Sequence, residues 1–242
     1  MLVAAAVCPC PPLLVPEVAA GAAPELDAAR AACTDALGVL AAARPDLLVV
    51  VGPDDGDAGA DGTRSYAEGT PGSFRGFGVD ADVRLGADGE PDAGAVTLPA
   101  SLAVGAWLLE RTGWADAPME GLGLREPIGA ERCIQVGRAV AARAGRVAML
   151  VMADASACRT LKAPGYLDER AEPFDREVAR ALGAADIAAL KALDGGLARE
   201  LKASGRAGWQ VLAGAGEEAG LTGALLYEGA PYGVGYIVAT WS

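Results

Sequence analysis

Residues 3–7 form an uninterrupted apolar run, stopped by Cys8-Pro9-Cys10-Pro11-Pro12. That pattern predicts a buried strand entering a stiffened loop. Over residues 24–43, Leu26, Ala29, Ala32, Cys33, Ala36, Leu37 and Leu40 recur at spacings of three and four, which predicts an amphipathic helix. Pro45-Asp46 ends it. The β-rich run 47–51 follows and stops at Gly52-Pro53. A strand, a helix and a second strand in this order predict a parallel βαβ unit.

Residues 54–95 break the pattern, being dense in Gly, Asp and Ala. They are expected to form a loop-rich insertion over one end of the sheet, with short strands around 74–77 and 83–85. Helices are expected over 101–111 and 128–144, and a third buried strand over 146–152. Helices over 172–182, 185–193 and 196–204 follow, and strands over 209–213, 225–228 and 234–241 close the chain. The expected fold is a single α/β domain over residues 1–242, its central sheet mostly parallel and flanked by helices on both faces.

Composition narrows the chemistry. The 242 residues are 52% hydrophobic, enough for one sizeable core. There is no histidine, which removes imidazole ligands, Ser-His hydrolysis and imidazole acid–base catalysis. Twenty basic against 32 acidic residues give a net charge of −12, which disfavours nucleic acid. The apolar N-terminus has no Lys or Arg before it and is broken by Pro9, Pro11 and Pro12, so neither a signal peptide nor a membrane span is expected. Five cysteines fit a reduced, cytoplasmic setting better than a disulfide framework.

Parallel strands bring their carboxyl ends to one sheet edge, where ligands of open α/β folds bind. Three such ends carry polar or reactive groups: Cys8 and Cys10, then Asp54 and Asp55, then Asp154, Ser156 and Cys158. The Cys-Pro-Cys spacing points its two thiols to opposite faces, which suits joint metal ligation poorly. Asp54, Asp55 and Asp57 read either as a fragment of a cation loop or as a solvated acidic turn. Gly214-Ala215-Gly216 lacks the third glycine of a dinucleotide fingerprint. Glu228, ahead of a Gly-rich turn that includes Tyr232, is either an exposed turn residue or a buried carboxylate needing Lys162 or Arg159 as partner.

Four segments together resemble the class III extradiol dioxygenase catalytic-subunit family and its Memo-like relatives. They are Val7-Cys8-Pro9-Cys10-Pro11-Pro12-Leu13-Leu14, Val50-Val51-Gly52-Pro53-Asp54, Met152-Ala153-Asp154-Ala155-Ser156-Ala157-Cys158-Arg159 and Pro231-Tyr232-Gly233-Val234-Gly235-Tyr236. The family reads Pro-His-Pro-Pro at the first, Gly/Ser-Pro-His or Gly-Pro-x-His at the second and Gly-Asp-x-Ser-His-Arg at the third, and Phe174-Asp175 matches a following Phe-Asp. The resemblance implies an Fe(II) centre of two histidines and a glutamate, with a further histidine as acid/base. Carried over, the first ligand falls on Cys10, the second on Asp54 or Asp55, the base on Ala157 or Cys158 and the carboxylate ligand on Glu228.

The scaffold is thus expected without its histidines, and function follows the site rather than the fold. The leading expectation is a non-catalytic relative with no cofactor, whose cleft binds a small molecule or a partner. The alternative is an enzyme with a rebuilt site, holding iron or zinc through Cys10, Asp54 and Glu228 or using a thiol. A third is a subunit completed by another copy or by a second protein. Asp154, Ser156 and Cys158 are the candidate catalytic residues. Cys10, Asp54, Asp55, Lys162 and Tyr232 are the candidate ligand contacts; the resemblance implies that Cys10, Asp54 or Asp55, the Ser156–Cys158 loop and Glu228 converge on one cleft, with the Cys10 thiol accessible from it.

Overall fold

The computed structural model describes residues 1–56, 61–86 and 96–242. Strand β1 (Leu2–Cys8) leads through a proline-rich loop and the short α1 (Pro16–Ala19) into α2 (Asp27–Ala42), which returns the chain to β2 (Leu47–Pro53). Then come β3 (Thr63–Tyr66), β4 (Pro71–Ser73), β5 (Asp82–Arg84), α3 (Ala100–Thr112), β6 (Met119–Leu124), α4 (Ala130–Ala141) and β7 (Val147–Met152). The chain finishes with α5 (Ala171–Gly183), α6 (Ile187–Lys191), α7 (Gly195–Glu200), α8 (Arg206–Gly216), β8 (Gly223–Gly229) and β9 (Tyr236–Trp241).

Seven strands form one sheet in the order β3-β6-β2-β7-β1-β9-β8, while β4 and β5 pair separately. The pairs β6–β2, β2–β7 and β7–β1 are parallel. At the flanks β3 runs against β6, β9 against β1, and β8 against β9. Because β1 and β8 both oppose β9, β8 points the same way as the parallel centre.

Both faces of the sheet are covered, which is why the central strands read as continuous apolar runs. Val49, Val51, Val147 and Met149 pack under α4, α5 and α8. Leu48, Val50, Ala148 and Leu150 alternate with them and pack under α2 and α3. Each of these valine, leucine and methionine side chains contributes roughly 1.5–3 kcal/mol by leaving water, before chain entropy is set against it.

Several expected elements need correction. Residues 209–213 are not a strand but part of α8, whose residues are all buried. Its polar residues, Arg206 and Gln210, are buried with the rest and bonded to each other, so no solvent-facing polar stripe marks the helix. Residues 75–77 form a single helical turn, and the strand of that hairpin lies earlier, at Pro71–Ser73. The insertion also supplies β3, an edge strand of the main sheet, and β6 extends the parallel centre between β2 and β3. Asp57 lies outside the described residues.

Candidate functional site

The carboxyl edge of the parallel strands is assembled from the ends of β1, β2, β6 and β7. Pairing runs past the strands themselves: Ala153 N–H donates to Cys8 O (2.8 Å), and Asp54 N–H to Leu124 O (2.9 Å). Asp154 then turns across the edge. Its Oδ1 accepts the Cys10 N–H at 2.8 Å, and its backbone oxygen accepts the Gly205 N–H at 2.9 Å. One residue just beyond β7 thereby fixes both the Cys8–Cys10 loop and the entry to α8.

The burial that makes this tie also shifts its acidity. Loss of solvation pushes the Asp154 carboxyl up to about 6, against the pull of its hydrogen bonds from Cys10. The Cys10 thiol is pushed well above its ordinary value by burial first and by the neighbouring Asp154 second. Cys10 is 6% exposed. It is a wall residue with little exposure, and burial opposes formation of its thiolate, so it is not an open nucleophile.

Asp54 is 3% exposed. Its Oδ1 accepts the Gly56 N–H (2.8 Å) and its Oδ2 accepts the Tyr66 hydroxyl (2.6 Å). Burial and the adjoining carboxylate push the Tyr66 phenol well above its usual value. The Arg64 guanidinium lies 5.6 Å from the Tyr66 ring centroid. Two glycines make room for this arrangement. A Cβ at Gly123 would stand 2.4 Å from Asp54 Oδ2, and one at Gly52 would stand 2.8 Å from Ser101 Oγ. Ser101, in the first turn of α3, donates to Pro53 O at 2.5 Å.

These groups line a cleft of about 660 Å³, whose walls include Cys10, Asp54, Asp55, Arg64, Tyr66, Ser101 and Ser204. The expected meeting of Cys10 with Asp54 and Asp55 is therefore found. Arg64, Tyr66 and Ser204 were not anticipated as lining residues. The alternation of Arg64 and Tyr66 within a four-residue strand was the available signal, submerged in a Gly/Asp-rich stretch.

The other candidates lie elsewhere. Ser156 is fully buried. Its hydroxyl donates to Asp175 Oδ2 and its N–H to Asp175 Oδ1, both at 2.8 Å, and Arg159 Nη1 completes the group at 3.1 Å from Oδ2. This locks the loop after β7 onto α5 and leaves the hydroxyl no free role. The Cys158 thiol, pushed up by burial, contacts Leu201 O at 3.4 Å. Neither Ser156 nor Cys158 lines the cleft, so the expected catalytic trio with Asp154 is not assembled. Lys162 is exposed, and the Tyr232 hydroxyl donates to Ala22 O at 3.2 Å; neither reaches the cleft wall.

Glu228 reaches the same sheet edge, since β8 runs with β1. It sits on the outermost strand, exposed, with β9, β1 and β7 between it and β2. Four strand spacings place β8 roughly 19 Å from the strand that carries Asp54. Arg159 serves Asp175 rather than Glu228. Among the described residues no three His, Cys, Asp or Glu side chains come together in a way that could hold a metal ion. Cys10, Asp54 and Glu228 thus do not fit an iron or zinc centre: two sites on one wall, a protonated thiol among them, and the third ligand strands away.

No protein-family model and no curated protein matches the chain. Among solved structures, the chain is similar to the crystal structure of an uncharacterized protein, JW3007, from Escherichia coli K12. The TM-score is 0.54 and the identity 14%, over 99% of this chain and 100% of that one. At that identity the likeness is one of fold. No helix among the described residues is long and apolar enough to cross a membrane.

Proposed function

We propose that this chain is a divergent relative of the class III extradiol dioxygenase and Memo-like proteins that binds a small polar molecule in its carboxyl-edge cleft and does not cleave rings. The observation that carries this reading is the state of the cleft's donors. The positions corresponding to iron ligands, Cys10 and Asp54, stand together on the cleft wall. Their chemistry is otherwise committed: the thiol is held protonated by burial, and both Asp54 oxygens already accept hydrogen bonds. A thiol-dependent enzyme is disfavoured for the same reason, since the thiolate is the reactive form.

The test is an oxygen-uptake and product assay on protein reconstituted with ferrous iron, given catechol or protocatechuate. No ring-cleavage product is expected. Product above a control without protein overturns the non-catalytic part of the reading. The binding part is tested separately by a thermal-shift screen of small polar compounds on the unmodified chain and on a Ser204→Trp variant that narrows the cleft. Upward shifts seen with the first and lost in the second are expected; shifts unchanged in the variant would place binding elsewhere.

A further inference from the structure

We infer that Asp154 and Tyr236, beside the carboxyl-edge cleft, bind the primary carboxamide group of a small neutral ligand; this rests on the binding role proposed above. The Tyr236 hydroxyl donates to the amide oxygen, and the Asp154 carboxylate accepts from the amide nitrogen.

Placement comes from the backbone. Ala5, Ala6 and Val7 stand opposite Trp241, Thr240 and Ala239, and the same register continued sets Cys10 opposite Tyr236. Gly235, the residue before Tyr236, is stitched to the stretch that follows β7. Its N–H donates to Ser156 O at 2.7 Å, and its oxygen accepts the Ala155 N–H at 2.8 Å. Asp154 in turn accepts the Cys10 N–H at 2.8 Å. The three residues therefore sit together at the strand ends, and Cys10 is also a wall of the cleft. Ser204, another wall residue, precedes Gly205, whose N–H donates to Asp154 O.

Tyr236 is the residue that points to a ligand. It is 2% exposed, and among the described residues its hydroxyl has no hydrogen-bond partner. The polar side-chain atoms sealed without a partner are Arg206 Nε and Trp209 Nε1. The Tyr236 oxygen is not one of them, so its remnant of exposure reaches open space. Burial first, and Asp154 next, hold the phenol above its usual value. It therefore keeps its proton, and leaving a buried proton unspent is costly. Asp154 is partly exposed, and its partners among the described residues are the Cys10 N–H and the weakly donating Cys10 thiol. A carboxylate has about four acceptor sites, so acceptor capacity remains.

One spare donor beside one spare acceptor selects the ligand. A primary carboxamide carries an accepting oxygen and a donating nitrogen side by side, without charge. A carboxylate would meet the Asp154 charge, and an ammonium group would leave the Tyr236 proton without an acceptor.

The experiment is a ligand-observed NMR titration of the full chain at pH 8 with butanamide. Butanoate, butylamine and methyl propanoate serve as the anionic, cationic and acceptor-only analogues. Butanamide is expected to bind, and the three analogues at least about tenfold more weakly. Tyr236→Phe is expected to weaken butanamide about tenfold. Asp154→Asn keeps an acceptor for the Cys10 N–H and turns the spare acceptor into a donor. It is expected to weaken butanamide about tenfold and to bind butanoate, a gain that a misfolded variant could not show. Butanamide bound no better than its analogues, or equally by the parent and both variants, overturns the inference. Should it fail while other polar compounds still shift the melting temperature of the parent and not of Ser204→Trp, the cleft-binding reading stands and this inference alone falls.

Discussion

Single residues in this protein are read best by asking what their polar atoms are already doing. Cys10 lies at the site yet is buried, with its thiol held protonated. Iodoacetamide at neutral pH should therefore label it far more slowly in the native chain than in urea, as followed by intact mass. All five cysteines are buried and free, so rapid labelling of one would mark a local opening. Asp154 gives a pH signature. Its carboxyl is raised from 3.8 to about 6, so the folded state holds the proton more tightly than the unfolded state. Stability attributable to this group is full below about pH 4, falls as pH rises through 6, and stays lost above it. Asp154→Asn keeps an acceptor for the Cys10 amide without the buried charge. It should match the parent near pH 4 and exceed it at pH 8 by up to about 3 kcal/mol in urea unfolding. Strand-end chemistry made Cys10, Asp54 and Asp154 legible from sequence. Ser156 looked equally reactive, and only its distant partner Asp175, on another element, reveals a structural knot.

At the scale of elements, legibility followed the way each segment is buried. β1, β2 and β7 announce themselves because covering on both faces makes them continuous apolar runs, and α2 because one of its faces meets solvent. β6 hides because its sequence, Met119-Glu-Gly-Leu-Gly-Leu124, carries glycines where side chains from neighbouring elements press in. A Cβ at Gly121 would stand 2.9 Å from Tyr66 Cβ. α8 hides because even its polar residues, Arg206 and Gln210, are buried and no face of it meets solvent. Its tight seat against α4 depends on two further glycines. A Cβ at Gly137 would stand 2.0 Å from Val211 O, and one at Gly214 would stand 2.3 Å from Ile134 O. Either Gly→Ala change must push whole helices apart, and each should cost roughly 3 kcal/mol or more of stability. Gly38, inside α2 with no atom near its missing Cβ, is the control. Gly38→Ala should stabilise by roughly 0.5–1 kcal/mol. Thermal denaturation of the three variants side by side checks the contrast in sign.

For the molecule as a whole, the acidic surface is the dominant long-range term. Fourteen ion pairs join described residues, most of them exposed. Such pairs are worth about 0–1 kcal/mol apiece, so net repulsion at −12 should outweigh them. Raising ionic strength from about 10 to about 150 mM shortens the Debye length from about 30 to about 8 Å. The melting temperature should rise by roughly 2–4 °C, as expected for about 1 kcal/mol in a chain of this size. A fall with added salt would mean that the ion pairs prevail.

The antiparallel pairing of β9 with β1 has a practical reach. Ala5 stands opposite Trp241 and Val7 opposite Ala239, so residues at the two ends of the chain emerge side by side at the sheet edge away from Cys10 and Asp54. A biosensor surface, an affinity handle or a fluorescent fusion attached at either end would hold the cleft outward, toward the solution being sampled. A short linker joining the two ends would also give a circular permutant whose new opening could be placed in the turn between β8 and β9, leaving the cleft walls continuous.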